Sequence, residues 1–358
     1  MSFINFKKKR AIGIDISDVS VKVVGLEKKG NIIKMLCFGK EKVPKGIVEN
    51  GEIKDEKMLS EIVRQAMNNL AGKAFKMKKV LVSLPEEKSF VDIIKVPLLP
   101  DDKLSDVVVF EAENVIPFPL SEVYFDFEKI ETTAKLTKCQ EVLLVATPRK
   151  IVDAYFNVIK MAGLEPVAME VESLSIARSL TEKEFFSSPL LLVDFGATRA
   201  TLAIFAGKNL RFTSTIPISS YQLSKSIAAF LDISFSTADD MKRKEGLKGK
   251  KEAFEAMVPF LTDMTEQIKQ YLDYYQTHSA KCQEFDRKKG LQKILFCGAG
   301  ANLKGLAEFL ASELKITVEL GDPCINISDK KTLEEFSRAK SLGYATAIGL
   351  ALKYIYVD

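Results

Sequence analysis

The chain has 358 residues, of which 47% are hydrophobic and 28% charged, a balance expected of a soluble globular protein long enough for two domains. Its 52 basic and 48 acidic residues leave a net charge of +4, too evenly mixed to suggest the concentrated basic face that nucleic acid requires. No apolar run reaches the ~18 residues that span a bilayer. The single histidine, His278, and the scattered cysteines (Cys37, Cys139, Cys282, Cys297, Cys324), with no C-x-x-C, argue against a multi-histidine metal centre, a zinc site or a redox pair. Reduced thiols in a cytosolic protein fit best.

In chain order, residues 1–10 form a basic leader, with four consecutive cations (Lys7 to Arg10) after a short apolar start. A secretory signal has its cations first and a longer apolar stretch, so the leader is not one. Residues 11–38 alternate in β fashion as a hairpin and a third strand, Ile32 to Phe38. Asp55 to Leu70 is helical in pattern, and Lys79 to Leu84 is a short buried strand stopped by Pro85. Residues 86–148 read as an inserted α+β subdomain, with β runs Val91–Val96, Tyr124–Ile130 and Glu141–Thr147 around a helix from Asp102 to Asn114. A helix (Arg149–Met161), a strand (Pro166–Val171) and a helix (Ser173–Leu180) then return the chain to the first lobe, 11–85 with 149–186. Phe185 to Pro189 reads as the connector between lobes.

The second lobe, 187–240 with 291–358, opens on another hairpin at 190–212, followed by a helix from about Ser219 to Leu231. A charged segment (Asp239–Lys251) leads into a subdomain, 241–290, built on a long helix from Ala253 to Ala280. Strand Lys293–Cys297 runs into Gly298-Ala299-Gly300-Ala301, then come a helix (Leu303–Glu313), a strand (Thr317–Leu320) and a last helix (Leu342–Leu352) rich in glycine and alanine.

One pattern occurs twice. Ile12-Gly13-Ile14-Asp15-Ile16-Ser17-Asp18-Val19-Ser20-Val21-Lys22 and Leu191-Leu192-Val193-Asp194-Phe195-Gly196-Ala197-Thr198-Arg199-Ala200-Thr201 each place an aspartate where an apolar strand meets a small, polar turn. Two such hairpins suggest two related lobes facing each other across a phosphate-sized cleft. A carboxylate at a strand end holds Mg²⁺ through water, and the turn after it offers N–H groups and hydroxyls to phosphate oxygens. Asp15 and Asp194 are the candidate metal ligands. Ser17, Ser20 and Lys22 in the first loop, and Gly196, Ala197 and Thr198 in the second, are candidate phosphate contacts. Asp18 belongs to the same candidate cofactor-binding set, although it adds negative charge next to a polyanion. Gly298, Ala299, Gly300 and Ala301 form a small-residue turn against which a flat base or an α-phosphate could rest at a helix N-terminus.

The three elements in this order resemble the actin, sugar-kinase and heat-shock ATPase superfamily. The closer resemblance is to the PilM family of type IV pilus assembly proteins, relatives of the division protein FtsA. It is carried by Ala112-Glu113-Asn114-Val115-Ile116-Pro117-Phe118-Pro119-Leu120-Ser121-Glu122-Val123 in the insertion, Val171-Glu172-Ser173-Leu174-Ser175-Ile176-Ala177-Arg178, Leu272-Asp273-Tyr274-Tyr275, and Gly298 to Leu306 with Gly343 to Leu352, so it runs from about residue 10 to 356. The chain departs from the family pattern in Ser17, where glycine is usual, in Ser219-Ser220-Tyr221-Gln222-Leu223, where a Gly-Gly turn is usual, and in Gln267 and Lys269, where Glu and Arg face the nucleotide.

The resemblance implies an α/β, actin-like (ribonuclease H-like) two-lobe fold with a small α+β insertion, binding ATP and Mg²⁺ with weak or no hydrolysis. It also implies a place on the cytoplasmic face of the inner membrane. There the protein would bind the N-terminal tail of a PilN-like membrane protein in a groove between the first lobe and its insertion, and so reach a PilO-like protein and the motor ATPases indirectly. Val107, Val108 and Phe110 on the insertion helix are candidate groove lining. Two other readings remain: a small-molecule kinase, for which Glu170 or Glu172 would be the base, and an FtsA-like filament former, which typically carries a C-terminal amphipathic helix that the end of this chain is too short to supply.

Overall fold

The computed structural model describes residues 8–73, 75, 77–130, 139–182, 186–207, 209–278, 290–329 and 336–356. Most of the basic leader, residues 183–185, Lys208, the last two residues expected in the long helix, and Cys282 lie outside them, and the rest of the expected connector, from Phe186, is the start of a strand.

The first sheet begins with β1 (Lys9–Ile16), β2 (Ser20–Lys29) and β3 (Ile32–Lys42), each antiparallel to the next. A small hairpin, β4 (Val48–Glu49) and β5 (Glu52–Ile53), precedes α1 (Glu56–Asn68), whose N-cap Asp55 accepts from the Met58 amide. β6 (Ala71–Gly72) edges the sheet, and β7 (Lys79–Leu84) enters parallel to β1. The insertion is β8 (Phe90–Pro97), α2 (Asp101–Val115), β9 (Val123–Lys129) and β10 (Cys139–Pro148), in a three-stranded antiparallel sheet ordered β8-β10-β9. α3 (Arg149–Met161), β11 (Glu165–Val171) and α4 (Glu172–Leu180) complete the lobe, with β11 parallel to β7.

The second sheet opens with β12 (Phe186–Phe195), β13 (Ala200–Gly207) and β14 (Asn209–Ile216). Helices α5 (Ser220–Leu231), α6 (Phe235–Glu245) and α7 (Lys251–His278) follow; they do not stand apart as the expected subdomain, because Leu223, Ile227, Met257, Leu261 and Met264 of α5 and α7 share one core with the strands of the second sheet. The chain then returns through β15 (Lys293–Cys297), α8 (Leu306–Leu314) and β16 (Thr317–Leu320) and ends on α9 (Arg338–Leu342) and α10 (Ala345–Tyr356).

The duplication read from the two aspartate turns extends to whole sheets. β3-β2-β1-β7-β11 in one lobe and β14-β13-β12-β15-β16 in the other share the same order, with the same antiparallel hairpins followed by two parallel strands. Both first hairpin strands are covered on two faces, which is why they read as nearly continuous apolar runs. On β1, Ile12, Ile14 and Ile16 face α1 and α3 through Leu59, Val63, Tyr155 and Ile159. The alternate residue Ala11 packs under α10, against Ala347, Ile348 and Ala351.

This placement corrects the expected domain division, because the last helix, assigned to the second lobe, packs on the first-lobe sheet. Its small residues permit the approach. A Cβ on Gly13 would lie 2.1 Å from the Ala347 carbonyl oxygen, and one on Gly349 would lie 1.7 Å from that of Ser175. The segment expected to be merely charged, from Asp239, belongs in large part to α6. After Cys297 the chain makes a 3₁₀ turn, Ala299–Asn302, so the small-residue turn does not open an α-helix as expected; α8 starts only at Leu306.

Gly13 has no positive φ, so Gly13→Ala is a purely steric test of the α10 seam. It is expected to lower stability by about 1–3 kcal/mol, read as a lower urea midpoint at unchanged slope. An unchanged midpoint would show that α10 is not seated this tightly.

Candidate functional site

Each hairpin ends its first strand on an aspartate at the seam between the lobes. Asp15 lies on the α10 side of the first sheet, by strand parity, just beyond the N-terminal end of that helix, where Ala345 and Thr346 line a cleft. Lys22, directly across the β1–β2 pair from Asp15, donates from Nζ to Asp15 Oδ2 at 2.9 Å. Ser83 Oγ on β7 donates to Asp15 Oδ1 at 3.3 Å and accepts from the Ile16 amide at 3.1 Å. In the other lobe Asp194 faces Thr201 and Cys297 on its two neighbouring strands. Gly298, at φ +82°, wraps its backbone against Asp194; a Cβ there would stand 2.2 Å from Asp194 Oδ1.

Between them lies a cavity of about 640 Å³, the size of a small-molecule site. Its lining includes Asp15, Ser17, Ser20 and Lys22 from the first lobe. Asp194, Gly196, Ala197, Thr198, Gly298, Ala299 and Gly300 come from the second. Ser17 is accommodated because its φ is not positive, and its hydroxyl closes the turn by donating to the Ser20 carbonyl at 3.0 Å and accepting from the Ser20 amide at 3.2 Å. Asp18, expected among the cofactor-binding residues, is instead turned out of the lining: it accepts from the Gly51 amide at 3.0 Å and pairs with Arg199. Ala301 is buried behind the turn.

Charge on the cleft floor is under-compensated. Burial and the facing Asp15 push Asp194 up to about 6, while Lys22 pulls the other way. Glu172, at the start of α4, is pushed well above the usual carboxylate range by burial and by Glu87, Asp15 and Asp194. Burial alone would pull Lys22 down, but Asp15 outweighs it and raises the lysine. Glu170 differs: burial is overcome by Arg178 and Lys353, which hold it at about 2. Arg178 grips it through two nitrogens at 2.7 and 2.8 Å, Lys353 donates at 2.7 Å, and Ser175 Oγ donates at 2.7 Å. A carboxylate so fully engaged is not poised as a general base, and Glu170 lines no part of the cleft.

Two further expectations are corrected. Gln267 and Lys269 do not line the cleft; Gln267 Nε2 instead donates to Asp263 at 2.9 Å along the outer side of α7. Their place is taken by Asp239, Lys242 and Arg243 on α6, at i, i+3 and i+4 and so on one helix face. Lys242 donates to the Ser220 carbonyl at 2.6 Å and to Ser224 Oγ at 2.6 Å, tying α6 to the start of α5, where Tyr221 also lines the cavity. The periodic spacing of Asp239, Lys242 and Arg243 was the available sequence signal.

The insertion helix does not supply the groove. Val108 is fully buried in the insertion core with Leu104 and Ala112, Val107 is packed against that core, and Phe110 is 65% exposed. A groove of about 250 Å³ lies instead between the insertion and the first lobe. β9 contributes Tyr124 to Glu128, α3 Val152, β11 Met169 to Val171, and α10 Lys353. β9 and β11 are each the outer strand of their sheet, so the groove runs between two strand edges.

The cleft fits a nucleotide with a divalent cation. Its carboxylates sit where burial disfavours their charge, and hydroxyls and lysines surround them. Among the described residues no cluster of three or more metal-ligating side chains exists. A cation would therefore be held by one or both aspartates through water, with phosphate oxygens completing its shell.

Comparison with known proteins bears on the family and the fold. A family model described as type IV pilus assembly protein PilM matches residues 13–355. Among solved structures, a PilM-PilN type IV pilus biogenesis complex superposes with a TM-score of 0.81 at 21% identity, covering 97% of this chain and 99% of that one. The ethanolamine utilization protein EutJ from Carboxydothermus hydrogenoformans gives 0.59 at 16% identity, over 96% of this chain and 89% of that one. MreB5 of Spiroplasma citri bound to AMPPNP gives 0.55 at 12% identity, over 95% and 94%. The fold is the actin-like one.

The two kinds of carboxylate have opposite pH signatures. Asp194 is raised, so its contribution to stability is present below about pH 4 and lost as pH rises through about 6. Asp194→Asn should therefore melt higher than the wild type at pH 7.5, with the difference gone near pH 4. Glu170 is lowered, so its contribution is present above about pH 4.5 and lost as pH falls toward 2. Glu170→Gln should melt lower than the wild type at pH 7.5 and converge with it in acid. Thermal melts across pH check both, and equal pH profiles for the two variants would contradict the assignment.

Proposed function

Because the chain belongs to the type IV pilus assembly protein PilM family, its role lies in type IV pilus assembly, and we propose that it acts there as a nucleotide-binding adaptor. The observation that carries this reading is the convergence of Asp15 and Asp194, from matching hairpins of two related sheets, on one polar cleft.

In the proposed complex Asp15 and Asp194 hold Mg²⁺ through water. Lys22, Ser17, Ser20 and Thr198 contact the phosphates, and Gly298 to Gly300 offer backbone to the nucleoside end. Asp239 is suited to accept from ribose hydroxyls, and Lys242 and Arg243 flank it with positive charge. The Mg²⁺ supplies neutralisation of the polyphosphate. Bound between the lobes, the nucleotide acts chiefly by holding them together, with little or no hydrolysis. That MreB5, on the same fold, was solved with AMPPNP supports a nucleotide in this cleft.

The partner is the N-terminal cytoplasmic tail of a PilN-like membrane protein, taken up as an extended peptide in the groove between β9 and β11. β9 and β11, each an outer strand among the described residues, offer main-chain groups to an extended peptide, and Phe125, Phe127, Val152 and Met169 offer apolar surface to its side chains. The PilM-PilN complex among the solved structures supports this choice of partner. Among the described residues no helix is long and apolar enough to cross a membrane. In this reading the protein is held at the cytoplasmic face of the inner membrane by that tail, and through it reaches a PilO-like protein and the motor ATPases.

Calorimetric titration of Mg-AMPPNP is expected to show micromolar binding that Asp194→Ala weakens by about tenfold or more, ~1.4 kcal/mol. No binding by the wild type would overturn the nucleotide half of the reading. For the groove, Val152→Asp is expected to abolish capture of a synthetic PilN-like tail peptide in a fluorescence polarisation assay while nucleotide binding persists. Undiminished capture would place the peptide elsewhere.

A further inference from the structure

Asp18 is the one residue of the first loop that a phosphate site does not explain, since its charge would repel the ligand. The structure gives it another partner. Arg199, in the second loop, places one guanidinium nitrogen on Asp18 Oδ2 and another on Glu87 Oε1, so a single side chain of one lobe bridges two carboxylates of the other. The three side chains are largely withdrawn from water, at 16%, 9% and 14% exposure. Asp18 is pinned in turn by the Gly51 amide at 3.0 Å. Next in sequence to Glu87, Glu86 makes a second stitch, accepting from Ser173 Oγ in its own lobe at 2.9 Å and from Thr213 Oγ1 in the other at 2.7 Å. Arg199 and Thr198 line both the nucleotide cleft and a second polar cavity beyond it, so Arg199 stands in the wall between them.

We propose that Asp18, Arg199 and Glu87 form an electrostatic clasp that keeps the lobes closed at the phosphate end of the cleft and sets how fast a bound nucleotide leaves. The proposal rests on the nucleotide reading for its kinetics but not for the closure itself. A guanidinium fork suits the task because it meets two carboxylates at once, which an ammonium does not do with the same geometry. Removing either side of a buried, hydrogen-bonded charge pair acts mainly on dissociation. Arg199 is thus a positioning residue, acting on the ligand through the lobes.

Stopped-flow release of a fluorescent, N-methylanthraniloyl-labelled AMPPNP with Mg²⁺ tests this. Dissociation is expected to speed up about tenfold or more in Asp18→Asn and in Arg199→Gln, with Arg199→Lys intermediate. The double variant Asp18→Asn/Arg199→Gln should be no faster than Arg199→Gln alone, which already frees both carboxylates. Small-angle scattering without nucleotide reads closure directly, and the radius of gyration should grow in Arg199→Gln and in the near-isosteric Asp18→Asn. Unchanged scattering, or release effects that add in the double variant, would overturn the clasp. Failure of the labelled nucleotide to bind would sink the nucleotide reading, with scattering still deciding the closure.

Discussion

Negative charge held out of water at the seam between two sheets is the constraint on which the rest of this structure depends. Asp15, Asp194 and Glu172 face one cavity with Lys22 among them. Two of these acids are raised, because burial and each other's charge disfavour ionisation. Such an arrangement costs stability in the isolated protein and is relieved by cations brought from outside. It is also repeated by construction. The same strand order, with the same aspartate at the end of the first strand, occurs in both lobes, so folding each half delivers one carboxylate and juxtaposing the halves delivers the site.

Juxtaposition is secured elsewhere by charges that are satisfied. α10 lies under the first sheet with almost no space to spare at Gly13 and Gly349. Arg178, gripping Glu170, also donates to the Gly349 carbonyl at 3.1 Å, and Lys353 on the same helix completes the set. At the other end, the Gly298 amide donates to the Leu342 carbonyl at 2.9 Å, which ties the turn after β15 to the end of α9. The chain thus leaves the second lobe at Leu342 and enters the first at Ala345, on the rim of the cleft. Glu170 and Glu172, two positions apart, differ in this respect: the first is held by Arg178 and Lys353, and the second lines the cleft.

Much of this was legible in the sequence where a local pattern determines the result. Asp15 and Asp194 end apolar strands in matching contexts, and the strands, the turn at Gly298 and the long α7 follow from period and punctuation. What was missed depended on the order in which strands pair or on which helix faces inward. The groove lies between β9 and β11, and no sequence pattern shows that either is a sheet edge. For α2 the signal was present: Leu104, Val108 and Ala112 recur every four residues and are buried together, which consigns Val108 to the core and turns Phe110 outward. The stretch holding Asp239, Lys242 and Arg243 was masked by its own charge density. In a folded chain Lys242 is buried against Ser220 and Ser224, and only the spacing distinguishes it from a solvated lysine. Asp18 looked adverse in isolation, because its partner Arg199 lies in the other lobe.

In the proposed function the two lobes meet over a nucleotide in the cleft, and the groove holds a membrane partner. A crystal structure of the protein grown with Mg-AMPPNP tests the nucleotide half of this most directly. Phosphate density is expected between the loops after Asp15 and Asp194, with a metal ion hydrated between those carboxylates and the nucleoside directed toward Gly298 and Asp239. Crystals grown at saturating nucleotide that show the cleft empty, or the ligand bound elsewhere, would contradict it.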